Sequence, residues 1–144
     1  MEPAITDFIN DNKIATVCFI TKEGKPYCIN CFYLLDEENY VLMFKSSSGA
    51  SHDEMVLADA NVAGTILPDS IDILKIKGIQ FSGKILSKTD VDKFKLSSQY
   101  TKKYPFSLAM PGYIWGLLLE RIKYTNNTLG FGNKTIWNLS NEKK

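Results

Sequence analysis

The chain has 144 residues, 44% of them hydrophobic and 23% charged, with 17 basic residues against 16 acidic ones. That composition suits one globular domain, residues 1–144, built around a single core. A net charge of +1 excludes the basic footprint of a nucleic-acid or membrane-surface binder.

Arg121 is the sole arginine, so bidentate recognition of phosphate or carboxylate by an arginine fork is almost unavailable. No stretch approaches the roughly 20 apolar residues of a membrane span. The N-terminus "MEPAITDFIN" lacks a signal-peptide pattern, and the expected location is the cytoplasm.

Ile5, Phe8 and Ile9 share one face of an expected helix from Glu2 to about Asn12. Two β-branched and aromatic runs then flank a turn at Lys22–Pro26, which is a hairpin signal. "DEEN" makes the next turn and "YVLMFK" a third strand, giving an up-and-down meander. "SHDEMVLADAN" changes to helical spacing, and "NVAGTIL" returns to strand character. The alternation in "ILKIKGIQFSGKILS" predicts one long strand, with Gly78 and Gly83 at bulges or bends.

"TDVDKFKLSSQYTKKYP" predicts a helix, capped by Thr89 or Asp90 and ended by Pro105. "PFSLAMPGYIWG" reads as an aromatic loop or short helix, and "LLLERIKYTNN" as the last clear strand. "TLGFGNKTIW" is the segment expected to close the core. The sum is a mainly β protein with short helices, of the α+β class. Strand density and the bend glycines favour a closed barrel over an open antiparallel sheet.

Chemistry-bearing residues are few. Cys28 and Cys31 form C-x-x-C, but on a strand, where positions three apart face opposite sides, so packed thiols are expected. His52 is the only histidine, no carboxylate cluster has ligand spacing, and no metal site is expected. "GFGNKT" lacks both the dinucleotide and the P-loop pattern and reads as a turn with glycines at positive φ.

One stretch, "FKSSSGASHDEM", has two readings. Ser51 and Glu54 fit a capping box and need no ligand. Ser46, Ser47, Ser48 and Gly49 ahead of a helix start suit an anion, with His52 as a further donor.

The order of elements resembles the pyridoxamine 5′-phosphate oxidase-like family, the FMN-binding split-barrel group, in a small bacterial branch. The stretches that carry it are "YCINCFYLLD", "VAGTI", "IKGIQFSGKI" and "IKYTNNTLGFGNKTIW". The resemblance implies a six-stranded antiparallel split β-barrel and a homodimer with FMN in a groove between the subunits. It puts the flavin ring near Asn30, Phe32 and Gln80, and the FMN phosphate at Ser46, Ser47, Ser51 and His52. It also implies oxidoreductase chemistry with a nicotinamide or other small-molecule electron donor.

Where the family usually carries a basic residue in the phosphate loop, residues 46–52 hold neither lysine nor arginine. The arginine-bearing C-terminal elements of true pyridoxamine phosphate oxidases have no counterpart in "TIWNLSNEKK". The rival readings are a flavin or haem carrier or sensor without turnover, and a barrel dimer that has lost its cofactor.

Overall fold

The structure is a computed structural model that describes residues 1–46 and 61–142. The helix expected within 51–60, its Ser51–Glu54 capping box, and the candidate ligands Ser47, Ser51 and His52 lie outside the described residues.

Helix α1 (Pro3–Asp11) starts at a proline and buries Ile5, Phe8 and Ile9, the face read from their spacing. Strands β1 (Ile14–Ile20), β2 (Pro26–Asp36) and β3 (Val41–Ser46) make the expected meander. The β1–β2 turn places Gly24 at φ +76°, and the Gly24 amide donates to the Thr21 carbonyl at 2.8 Å. Strands β4 (Asn61–Ile66), β5 (Lys77–Ile85), β6 (Tyr113–Asn126) and β7 (Lys134–Asn138) follow.

All seven strands form one sheet in the order β3-β2-β1-β4-β5-β6-β7, and β3 also pairs with β6. Six strands therefore close into an antiparallel barrel, a split-barrel α+β fold, and β7 stands outside it against β6. Closure comes from β3 meeting β6, not from the "TLGFGNKTIW" segment. That segment instead lays Trp137 against Tyr40, with ring centroids 5.3 Å apart.

Alternation along each strand fills the barrel. Val17, Phe19, Phe44, Ile66, Phe81, Leu117 and Ile122 are all buried in one cluster. The pairing of β5 with β6 shifts register between Ser82 and Gly83. A Cβ on Gly83 would lie 2.0 Å from the Leu118 carbonyl oxygen, so only glycine lets the two backbones approach at this bulge.

Strand β3 is apolar without alternation because both its faces are covered. Leu42 and Phe44 point into the barrel. Val41 and Met43 point out, beneath helices α2 (Lys88–Lys93) and α3 (Leu96–Lys103), where Val91, Leu96, Tyr100 and Tyr104 pack on them.

Three expectations are corrected. The long strand begins only at Lys77, and the Ile71–Ile76 segment is a bend and turn. Asp72 makes that turn, its carboxylate accepting from the Leu74 amide at 2.9 Å and its carbonyl from the Lys75 amide at 3.0 Å. The expected single helix is two, broken where Lys95 adopts φ +55°. Its cap is Ser87, whose hydroxyl accepts from the Asp90 amide at 3.2 Å, rather than Thr89 or Asp90.

Candidate functional site

The barrel presents an uncovered outer face along β2, β1, β4 and β5. Strand register sets out its side chains in rows. Asn30 lies opposite Thr16, Thr16 opposite Thr65, and Thr65 opposite Gln80. All four point outward, because their chain neighbours Cys31, Ala15, Val17, Ile66, Ile79 and Phe81 point into the core. The row continues from Gln80 to Lys123 on β6, a cation the sequence reading did not single out.

Within the row, the Thr16 hydroxyl donates to the Asn30 side-chain oxygen at 2.7 Å. That contact leaves the Asn30 amide nitrogen directed away from Thr16. One step along the face, Phe32 lies opposite Ile14 and is 43% exposed. Phe32 belongs to an aromatic group, with centroids 5.9 Å from Tyr104 and 6.3 Å from Phe106. Tyr100 anchors the Phe32 backbone, its hydroxyl donating to the Phe32 carbonyl at 3.2 Å.

Part of this face is a groove of about 530 Å³, with Lys13 and Asp69 among its lining. Thr16, Asn30, Phe32 and Thr65 form its floor, and Leu67 and Ile71 its rim. The rim segment is pinned through Asp69. Its amide donates to the buried Asn12 side-chain oxygen at 2.9 Å, and Asn12 in turn donates to the Phe8 carbonyl at 2.8 Å. Beyond the rim the apolar surface continues over Ile73 and Leu74, which are 81% and 83% exposed.

Three tyrosines behind Phe32 act as fixed donors. Burial raises the Tyr33 and Tyr104 phenols above their ordinary range and pushes Tyr100 up to about 12. All three therefore keep their protons at neutral pH. Tyr33 donates to the Ile9 carbonyl and Tyr104 to the Tyr33 carbonyl, at 2.7 Å and 2.8 Å. The face thus offers neutral hydrogen-bonding groups beside an aromatic ring, an arrangement that suits a planar heteroaromatic molecule with donors and acceptors on its edges.

The structure places Asn30, Phe32 and Gln80 on this one outward face. Ser46 lies elsewhere, at the end of β3, buried, with its hydroxyl oxygen accepting from the Trp115 indole. Lys45 points away from Ser46 and donates to the Ser107 carbonyl at 2.6 Å. Among the described residues no three histidine, cysteine or acidic side chains are placed to hold a metal ion. Likewise, no helix among them is long and apolar enough to cross a membrane.

Sequence reasoning missed Thr16 and Thr65, which carry no motif. They could have been found only by pairing each strand against its neighbours. It also missed the contact between Cys18 and Cys28, whose sulfurs are 2.7 Å apart. Cys28 and Cys31 do face opposite sides, one exposed and one buried.

No family model matches the chain. The UPF0306 protein YhbP of Salmonella paratyphi A is 33% identical over 134 residues, 93% of this chain and 90% of that protein. Among solved structures, a Clostridium acetobutylicum protein related to general stress protein 26, of the pyridoxinephosphate oxidase family, superposes with TM-score 0.66. It is 13% identical, with 96% of this chain and 94% of that one covered. The haem storage protein HutZ of Vibrio cholerae gives TM-score 0.64 at 13% identity, covering 83% and 89%. An FAD-binding protein of Mesorhizobium loti gives 0.60 at 17%, covering 85% and 92%. At these identities the structural likeness is one of fold.

Proposed function

The chain belongs to the UPF0306 family, and we propose that it is an FMN-binding, oxidoreductase-like homodimer rather than a true pyridoxamine phosphate oxidase. The observation that carries this reading is the outward row Asn30–Thr16–Thr65–Gln80 beside the exposed Phe32, of which Asn30, Thr16, Thr65 and Phe32 line a groove of about 530 Å³. A flavin ring needs edge donors and acceptors plus an apolar face, and this surface has both. Bound there, the flavin supplies hydride or electron transfer, and the protein supplies binding and orientation.

Asn30 and Gln80 would hydrogen-bond the ring edge, and Phe32 would lie against the ring. Ser46 keeps its hydroxyl proton free to donate, since its oxygen is the acceptor for Trp115. With Ser47, Ser51 and His52 it would hold the phosphate. The exposed Leu67, Ile71, Ile73 and Leu74 beside the groove support a second subunit closing over it. A nicotinamide or other small-molecule donor would reduce the flavin.

The test is the absorption spectrum and flavin content of the purified protein, followed by titration with FMN. Flavin bands, or saturable FMN uptake, are expected. Colourless protein that takes up no FMN overturns the reading. A second reading, a haem carrier, is favoured by the fold likeness to HutZ. Haem added to the protein would then give a Soret band while FMN gives no uptake. If FMN binds but neither NADH nor NADPH reduces it, the protein is a carrier or sensor rather than an enzyme.

A further inference from the structure

Cys18 and Cys28 are direct partners across β1 and β2. The ladder's phase follows from two bonds at its ends. The Tyr33 amide donates to the Lys13 carbonyl at 3.2 Å, and the Thr21 amide to the Lys25 carbonyl at 2.8 Å. Stepping by two from either end makes Val17–Ile29 and Phe19–Tyr27 hydrogen-bonded pairs and leaves Cys18–Cys28 a non-hydrogen-bonded one. Pro26, opposite Ile20, belongs to the same set, where its missing N–H costs no ladder bond. Cα atoms in such pairs lie about 4.5 Å apart. That is inside the roughly 4.4–6.8 Å range that a disulfide requires.

The side chains agree with the backbone. The two sulfurs are 2.7 Å apart, on the outer face of the barrel. Cys28 is exposed and Cys18 half-buried. Ala63, the β4 partner of Cys18, is exposed and presents a methyl group on that side of the sulfurs. Cys31 takes no part. It is buried on the inner face, its thiol directed at the Ala15 carbonyl at 3.8 Å.

We infer that Cys18 and Cys28 are a reversible dithiol–disulfide couple that reacts with low-molecular-weight disulfides of the glutathione type. The Cys28 thiolate attacks one sulfur of the small disulfide, forming a mixed disulfide and releasing one thiolate, which takes up the proton Cys28 lost. Cys18 then gives its proton to solvent and attacks the Cys28 sulfur, releasing the second small thiol. Two protein thiols are oxidised and one small disulfide is reduced to two thiols.

The roles follow from position. Cys28 is the exposed sulfur. Cys18, half-buried and pushed up to about 11 by burial and then by its contact with Cys28, is held as a thiol while Cys28 is free. Blocking Cys28 removes the contact's share of that shift, and the 2.7 Å separation of the sulfurs places Cys18 to resolve the mixed disulfide. The product ties the β1–β2 hairpin across one rung, next to the Thr16–Asn30 pair at the groove floor. This inference stands on the hairpin alone and does not depend on the flavin reading.

The experiment uses the whole protein, first reduced with dithiothreitol and then equilibrated in glutathione buffers of rising oxidised fraction. Thiols are counted after denaturation, and cross-linked peptides are mapped by mass. The count is expected to fall from three to one, with the loss of two hydrogens and a Cys18–Cys28 cross-link that dithiothreitol reverses. Cys18→Ser should instead accumulate a mixed disulfide on Cys28. The mapping is done on the unaltered chain, so a variant that fails to fold does not decide the matter. Three thiols remaining under all buffers, a cross-link involving Cys31 or a second chain, or a glutathione adduct that persists on the unaltered Cys28 would each overturn the inference.

Discussion

The two outer faces of the barrel are finished differently. Along β3 and β6, the outward side chains Val41 and Met43 are apolar, and helices α2 and α3 cover them with Val91, Leu96, Tyr100 and Tyr104. Along β2, β1, β4 and β5, the outward row Asn30–Thr16–Thr65–Gln80 is polar and uncharged until it reaches Lys123 on β6, and its rim is apolar and exposed. The first face is a second core whose loss costs stability. The second contributes little to holding the chain together, and its side chains are free to serve a ligand and a partner. Substitutions on the two faces should therefore separate cleanly into losses of stability and losses of binding.

The largest effects belong to the barrel seam and the covered face. Gly83→Val drives a side chain into the Leu118 backbone and should leave no cooperatively folded protein, read as loss of a urea transition. Leu96→Ala empties a fully buried site and should cost about 2–5 kcal/mol in the same measurement. A shift below about 0.5 kcal/mol would mean that the helices are not a second core.

On the open face, Ile71→Asp should leave the urea midpoint within about 0.5 kcal/mol, because Ile71 is 71% exposed. In sedimentation it should shift the protein from dimer toward monomer. A dimer that persists unchanged would remove the rim from the proposed interface. Asn30→Ala or Gln80→Ala should each weaken FMN binding by up to about tenfold, the worth of one hydrogen bond, again at unchanged stability. Unaltered affinity in both would move the ring off this row.

A last effect is a pH dependence to which Tyr100 on the covered side contributes. Tyr100 is raised from 10.0 to about 12, first by burial. The folded state therefore holds this proton more tightly than the unfolded chain does. The resulting stability is present below about pH 10 and is lost as pH rises from 10 toward 12. Urea midpoints across that range should fall, and Tyr100→Phe should flatten the decline.

The same contrast explains what was legible in the sequence. Residues whose environment is set by near neighbours could be read: the Gly24 turn, the alternating strands, the bulge at Gly83 and the positive-φ glycines Gly130 and Gly132. Ile73, Leu74 and Ile76 were misleading because apolar alternation signals a strand only when something covers the apolar side. Here Asp72 makes a turn and the apolar side stays bare. The break at Lys95 is equally local but leaves no trace in composition. It separates two helices that dock on different parts of one surface.

At the site, Asn30, Phe32 and Gln80 entered only through the family resemblance, and their outward direction follows in the structure from the core residues beside them. Thr16, Thr65 and the partner of Cys28 depend on register between strands. A single strand's pattern does not encode that register, and the C-x-x-C spacing drew attention to Cys31 instead of Cys18.

The pairing of β3 with β6 also imposes an order of events. It joins residues 41–46 to residues 113–118, so the barrel cannot shut until most of the chain is available. The β1–β2 hairpin, by contrast, needs only residues 14–32 and can form on the microsecond scale of local structure. Closure should be the slow event, in the range of milliseconds to seconds usual for all-β chains with distant contacts. During synthesis the first three strands emerge well before their closing partner. Their apolar edge at Val41–Phe44 then waits uncovered, which makes this seam the stretch most dependent on protection while the protein is being made.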